Sequence, residues 1–262
     1  MSGLSVDSSL AFMEGDKKMD IKSIMDDGLK INANCSFETF RLHEDGFDRD
    51  AHANRTLLNI EFTREYFDEE TDDYIEKTVA SMIFYIFKYR EFDMIEKIAD
   101  ITGHDNMMGV DIALKYYEMC KKDPNKNAMY DYICSGGDLN ICYLHEFYID
   151  TEYRGLGFSE YFLCMIPTII GEYMGIDFGF VSTHIRPYEY QGKIEGNALS
   201  DVEYDDNNPE LMKIMEKPLL KVGFVQIGEG NDFATDLPRL YHKGIELNYE
   251  TEFTGRYYEF ND

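Results

Sequence analysis

The chain has 262 residues and a mass of 30.6 kDa, enough for one large domain with insertions and a substantial core. With 44% hydrophobic and 15% aromatic residues it is too apolar for a disordered polymer, although 51 acidic side chains face only 25 basic ones. The formal net charge of -26 argues against direct nucleic-acid binding and against an anionic membrane surface, because both need clustered Lys and Arg.

Residues 1–22 are polar and lack an apolar period, so they read as a flexible arm before a single domain over 23–262. Strands are expected over 31–42 and 56–66. Residues 78–89 are β-branched and aromatic enough for a central strand. The acidic stretches at 43–46 and 68–73 read as solvated turns between them. Helical spacing marks 94–100 and 107–120, the latter with Val110, Ile112, Ala113, Tyr116 and Tyr117 near one face. The Pro- and Asn-rich run at 121–127 closes this helical segment, and Ser135-Gly136-Gly137-Asp138 introduces the next strand.

That strand, from Tyr143 to Ile149, leads into a turn holding Arg154, Gly155 and Gly157, followed by an apolar helix from Phe158. Glycine reaches backbone angles closed to other residues and leaves no side chain between the amides and a ligand. The first N–H groups of the helix and its positive dipole end face the same spot, which suits an anion. Arg154 adds a fork of donors matched to a pyrophosphate. Further on, 178–183 reads as a neighbouring strand and 184–192 leaves the sheet. A loop of about fourteen residues then precedes a helix starting at Pro209, and it is a usual place for substrate contacts. Short strands are expected near Phe224 and Leu240.

The five cysteines, Cys35, Cys120, Cys134, Cys142 and Cys164, are odd in number and show no Cys-x-x-Cys spacing. Neither a disulfide framework nor a zinc site is implied, and Cys142 and Cys164 read as small buried hydrophobes. His43 and His52 fit no metal-binding spacing, and Ser159 and Ser182 lack the context of a hydrolase nucleophile. The N-terminus carries no secretory pattern, and the apolar run at 162–170 is too short to span a bilayer, so a cytoplasmic protein is expected.

The run Arg154-Gly155-Leu156-Gly157-Phe158-Ser159 resembles motif A of the GNAT superfamily of N-acetyltransferases: Gln or Arg, two residues, Gly, one residue, then Gly or Ala. Ser159 departs at the last small position, and Leu156 replaces a residue that is often basic. Downstream, Leu219-Leu220-Lys221-Val222-Gly223-Phe224-Val225 is similar to the family's helix end, Gly-Phe step and following strand. The resemblance covers a motif A region at 138–175 and an acceptor-side region at 177–228. It implies an α/β (α+β) fold: a mixed, mostly antiparallel central sheet flanked by helices, with a helical insertion before the motif A strand.

The same resemblance implies acetyl-CoA as co-substrate and no metal. The pantetheine would pair with the backbone of Phe147, Tyr148 and Ile149, and the pyrophosphate would sit on Arg154, Gly155, Leu156, Gly157, Phe158 and Ser159. Family members place a Glu or His base nine or eleven residues before the motif's Arg, which here gives His145 and Tyr143. Strand alternation puts both on one face and Glu146 on the other, so His145 is the preferred base and Glu146 a weaker candidate. An alternative for His145 is a satisfied polar spot within the sheet. The family's proton-donating Tyr corresponds to Leu219 here, so Tyr188, Tyr190, another tyrosine or solvent takes that role, or transfer has been lost. The expected function is acetyl transfer to an amine, small-molecule or protein, with the acidic field favouring a cationic one. The alternative is a weakly active or inactive protein of the same fold whose acidic surface binds a basic partner.

Overall fold

Alternation governs the long strands. Leu58, Ile60 and Phe62 are buried while Asn59 and Glu61 between them are exposed, the two-residue period of a strand with one face on a core. The computed structural model describes residues 29–42, 51–68, 72–89, 104–122, 139–185 and 209–247. In chain order they form β1 (Leu29–Leu42), β2 (Ala51–Asp68), β3 (Asp73–Tyr89), α1 (His104–Lys122), β4 (Leu139–Ile149), a 3-10 turn (Thr151–Tyr153) and α2 (Phe158–Met174). There follow β5 (Phe180–His184), α3 (Pro209–Lys221), β6 (Val225–Gln226), β7 (Asp232–Asp236) and α4 (Leu237–Glu246). The arm at 1–22, the acidic loop at 43–46, the helix expected at 94–100, the stretches 123–127 and 135–138 and the loop at 186–208 lie outside the described residues.

The seven strands form one sheet in the order β1-β2-β3-β4-β5-β7-β6. Every neighbouring pair is antiparallel except β4 with β5. That pair is parallel because α2 connects them as a crossover, whereas antiparallel neighbours need only a turn. The fold is thus a mixed, mostly antiparallel α/β sheet with four α-helices among the described residues.

One face of the sheet is closed by α2, α3 and α4. Met82, Phe84, Cys142, Leu144, Val181 and Phe233 meet Phe162, Ile166, Ile169, Leu219, Val222 and Leu240 in a single cluster. Tyr161 through Ile170 are buried without interruption, and a fully buried aliphatic or aromatic side chain contributes about 1.5–3 kcal/mol. This burial offsets the interior Pro167, which removes a helical donor. Cys142 and Cys164 lie in this layer, and burial pushes both thiols up to about 12.

The opposite face is covered by α1 over Phe87, Ile141, Phe180 and Ala234, through Val110, Ala113, Tyr116 and Tyr117. Gly109 sets how closely α1 approaches, because a Cβ there would lie 2.7 Å from the Tyr143 Cβ and 2.6 Å from its Cδ2. Ser182 Oγ donates to the Gly109 carbonyl at 2.7 Å at the same crossing. Tyr116 donates to Asp236 Oδ2 at 2.9 Å, and burial holds its phenol far above the usual range.

The C-terminal end differs from the expectation of a strand near Leu240. The strand is β7, and Leu240 belongs to α4, whose first turn holds Pro238 and whose N-cap Asp236 accepts from Arg239 N at 2.9 Å. An Asp cap followed by proline in the first turn is a helix-start signal. No helix of the described residues is long and apolar enough to cross a membrane.

Candidate functional site

β4 changes character halfway along. It pairs with β5 from Ile141↔Phe180 to Leu144↔Thr183 only, and Thr183 Oγ1 donates to the Leu144 carbonyl at 2.9 Å at the last of these positions. Beyond it β4 continues along β3, while β5 continues along β7. The two parallel strands therefore part after Leu144, and from His145 to Ile149 the outer edge of β4 has no strand neighbour among the described residues.

A β-bulge lies at the parting point. Phe84 pairs with Leu144 but Ile83 pairs with Glu146, so His145 is the extra residue. Regular alternation would send Glu146 to the face opposite His145. The bulge cancels that alternation and corrects the expectation: Glu146 shares the α1 face with His145 and Tyr143, and Oε1 lies 3.7 Å from His145 Nε2. At that separation the two are not directly hydrogen-bonded. Burial raises the Glu146 carboxyl above the usual range, since desolvation penalises its charged form.

Three rings build the rest of this face. His145 lies 5.0 Å from Tyr85 and 5.8 Å from Tyr143 between centroids, and the Arg55 guanidinium sits 4.7 Å over Tyr85. His145 and Glu146 are half-buried, whereas Tyr143 is buried beneath Gly109. Phe147 turns to the α2 side and packs against that core, Tyr148 returns to the α1 side, and Ile149 is buried on the α2 side.

After Ile149 the chain makes the 3-10 turn, whose cap Asp150 accepts from Glu152 N at 3.0 Å. This short element separates the strand from the glycine turn, where a direct passage is expected from the sequence. Arg154 folds back on β4: its Nε donates to the Ile149 carbonyl at 2.9 Å and its guanidinium lies 5.5 Å from the Tyr148 ring. The remaining Nη groups are the ones left to meet an anion.

Gly155 and Gly157 have φ of 76° and 90°, the left-handed region that glycine adopts without strain. Gly157 is the N-cap of α2 and supplies no side-chain cap, and the first intrahelical bond runs from Tyr161 N to Gly157 O at 3.3 Å. The N–H groups of Phe158, Ser159 and Glu160 therefore point outward at a positive dipole end. Leu156 is half-buried against the α2-side core rather than offering a charge, and Ser159 is half-buried in the first turn. This cradle of bare amides fits a phosphate group.

Across the gap, His184 is one residue past the last β4–β5 pair. Its Nδ1 lies 2.7 Å from Asp232 Oδ1, its pairing partner on β7. No sequence signal joined these two, which are 48 positions apart. Leu219, which stands where the resemblance expects a proton-donating Tyr, is buried in the core against α2, so no acid–base group occupies that place. Tyr188, Tyr190 and His43 lie outside the described residues. Comparison of the chain with protein-family models, with curated proteins and with solved structures returned no match.

Proposed function

We propose that the protein is an acetyl-CoA-dependent N-acetyltransferase of the GNAT type, acting on an amine. The observation that carries this reading is the parting of β4 from β5 after Leu144, directly ahead of a glycine turn and an uncapped helix. One continuous stretch thereby offers a strand edge with no strand neighbour among the described residues, for an extended amide-bearing arm, and a bare-amide cradle for its phosphates. The mixed, mostly antiparallel sheet flanked by helices is also what the resemblance to this superfamily implies.

Bound acetyl-CoA would supply the thioester carbonyl that an amine attacks. The protein's part is to hold that carbonyl by the β4 edge from Phe147 to Ile149, to anchor the phosphates at 154–159, and to accept the amine's proton. Holding two reactants in attack geometry lowers much of the barrier. His145 and Glu146, brought to one face by the bulge, are the acceptors, and a carboxyl raised by burial is a stronger base than a solvated one. The net charge of -26 favours a cationic acceptor.

Calorimetric titration tests the cofactor assignment. Acetyl-CoA binds saturably, and Arg154→Glu weakens it by tenfold or more, about 1.4 kcal/mol, because a carboxylate then faces the phosphates. Absence of binding at millimolar cofactor would falsify the assignment. The burial of Leu219 favours a second reading, a protein of this fold that binds a basic partner without turnover. Amine-dependent thiol release from acetyl-CoA rules that reading out, while a partner captured at low salt and lost at high salt supports it.

A further inference from the structure

We propose that His184, oriented by Asp232, is a second proton-transfer residue of this site and delivers the proton that the departing thiolate needs. The inference rests on the acetyltransferase reading above.

The geometry places it there. Strand pairing between β4 and β5 ends at Leu144↔Thr183, so His145 on one strand and His184 on the other are the first residues past the divergence. Alternation from Ser182, which bonds to Gly109 of α1, puts His184 on the α1 face, the same face as His145 and Glu146. Two imidazole–carboxylate pairs thus flank one gap, at 3.7 Å on β4 and 2.7 Å between β5 and β7. Both members of the second pair are about four-fifths buried, with side-chain exposures of 21% and 23%.

The contact with Asp232 fixes what the ring can do. A carboxylate at Nδ1 holds the proton on that nitrogen, fixes the ring's orientation and leaves Nε2 as the nitrogen that exchanges protons. Backbone bonds hold Asp232 in register on both sides, since Ile185 N donates to the Asn231 carbonyl at 2.9 Å just beyond the pair and Ile227 N, past β6, donates to the Asp232 carbonyl at 2.8 Å. Leu219 has no proton to give, so the donor must come from another element that lines the gap.

The step balances as follows. The amine nitrogen forms a bond to the thioester carbon, and its proton passes to the His145–Glu146 pair. The carbon–sulfur bond breaks with its electron pair on sulfur, and the Nε2–H of the His184 imidazolium passes to that sulfur, giving a thiol and a neutral imidazole. The proton held on β4 returns to His184 through solvent, so both pairs recover their starting states.

Two-bond proton–nitrogen NMR on the full-length labelled chain tests the assignment without needing the acceptor amine. His184→Gln identifies the His184 signals among the six histidines. Should that variant fail to fold, Asp232→Asn identifies them as the ring whose tautomer balance changes. Coenzyme A at saturation, followed by calorimetry, is expected to shift the His184 signals, and the desulfo analogue, lacking the thiol, to shift them less than half as far. Saturated binding of coenzyme A with His184 unmoved, or equal shifts from both compounds, would overturn the proposal and leave the cofactor reading intact. Absence of coenzyme A binding would overturn both. With an accepted amine in hand, His184→Gln is expected to lower kcat about 10²-fold while leaving acetyl-CoA affinity unchanged.

Discussion

The two halves of β4 are one strand with opposite physical tasks. From Ile141 to Leu144 it has strands on both sides and every side chain is buried; from His145 to Tyr148 it has one strand neighbour among the described residues, and His145, Glu146 and Tyr148 on the α1 side are half-buried and polar or amphipathic. A single inserted residue separates the two regimes. The bulge in the β3–β4 ladder coincides with the end of pairing with β5 and places two acid–base groups side by side, so the fold need not unpack its core to open a site. The closed half is where stability concentrates, and the open half is where a polar group can be kept at modest cost.

The strongest way to break that contrast is to disturb the closed half at Gly109. Any side chain there meets the Tyr143 ring and Cβ, both fixed by the sheet, and neither can retreat. Gly109→Val is expected to destabilise the fold by about 3 kcal/mol, the upper range for overpacking, with loss of the α1 docking that Ser182 supports. Urea denaturation measures it, and a change below 1 kcal/mol would show that α1 does not rest on this crossing.

Asp236 ties the same closed region together at a second point. One oxygen caps α4 and the other accepts from Tyr116 of α1, so Asp236→Ala removes a cap worth about 1 kcal/mol and strands a buried phenol at a further 1–3 kcal/mol. The expected total is about 2–4 kcal/mol by the same measurement. Tyr116→Phe, which removes the hydroxyl and leaves the Asp236 cap on Arg239 N in place, is expected to cost less than Asp236→Ala. The reverse order would place the Asp236 contribution elsewhere than in these two bonds.

Most of the closed half was legible in the sequence, because burial imposes a period. The long strands, α1 and the strand–turn–helix around Gly155 and Gly157 follow from alternation, helical spacing and glycine placement. What was not legible depends on contacts distant in sequence or on a broken period. The bulge at His145 leaves no mark in composition, so alternation sent Glu146 to the wrong face. His184 and Asp232 meet only because β5 and β7 are adjacent, and residue types alone do not reveal that adjacency. The helix at Leu240 was legible, since Asp236 and Pro238 mark its start, but a short stretch with few apolar residues, Leu237, Leu240 and Tyr241, fits a strand as well as a helix.

The open half is tested most finely by Glu146→Gln. Burial raises the folded-state pKa of this carboxyl above its unfolded value, so the unfolded chain loses its proton first as pH rises. Below the unfolded value, about 4.3, both states are protonated and the group contributes no difference. Between the unfolded and the raised folded value stability falls with pH, and above that window the loss stays constant. Glutamine keeps the shape and cannot ionise, so the variant gains stability relative to wild type across the window and keeps the gain at pH 7. Amine acetylation is expected to fall at the same time, which gives a residue whose removal strengthens the fold and weakens its chemistry. Denaturation at pH 4 and pH 7 separates the outcomes. A loss of stability at pH 7 would mean that the Glu146 carboxylate is held by a cation rather than merely desolvated, and β4 would then be structurally alike on both sides of its bulge.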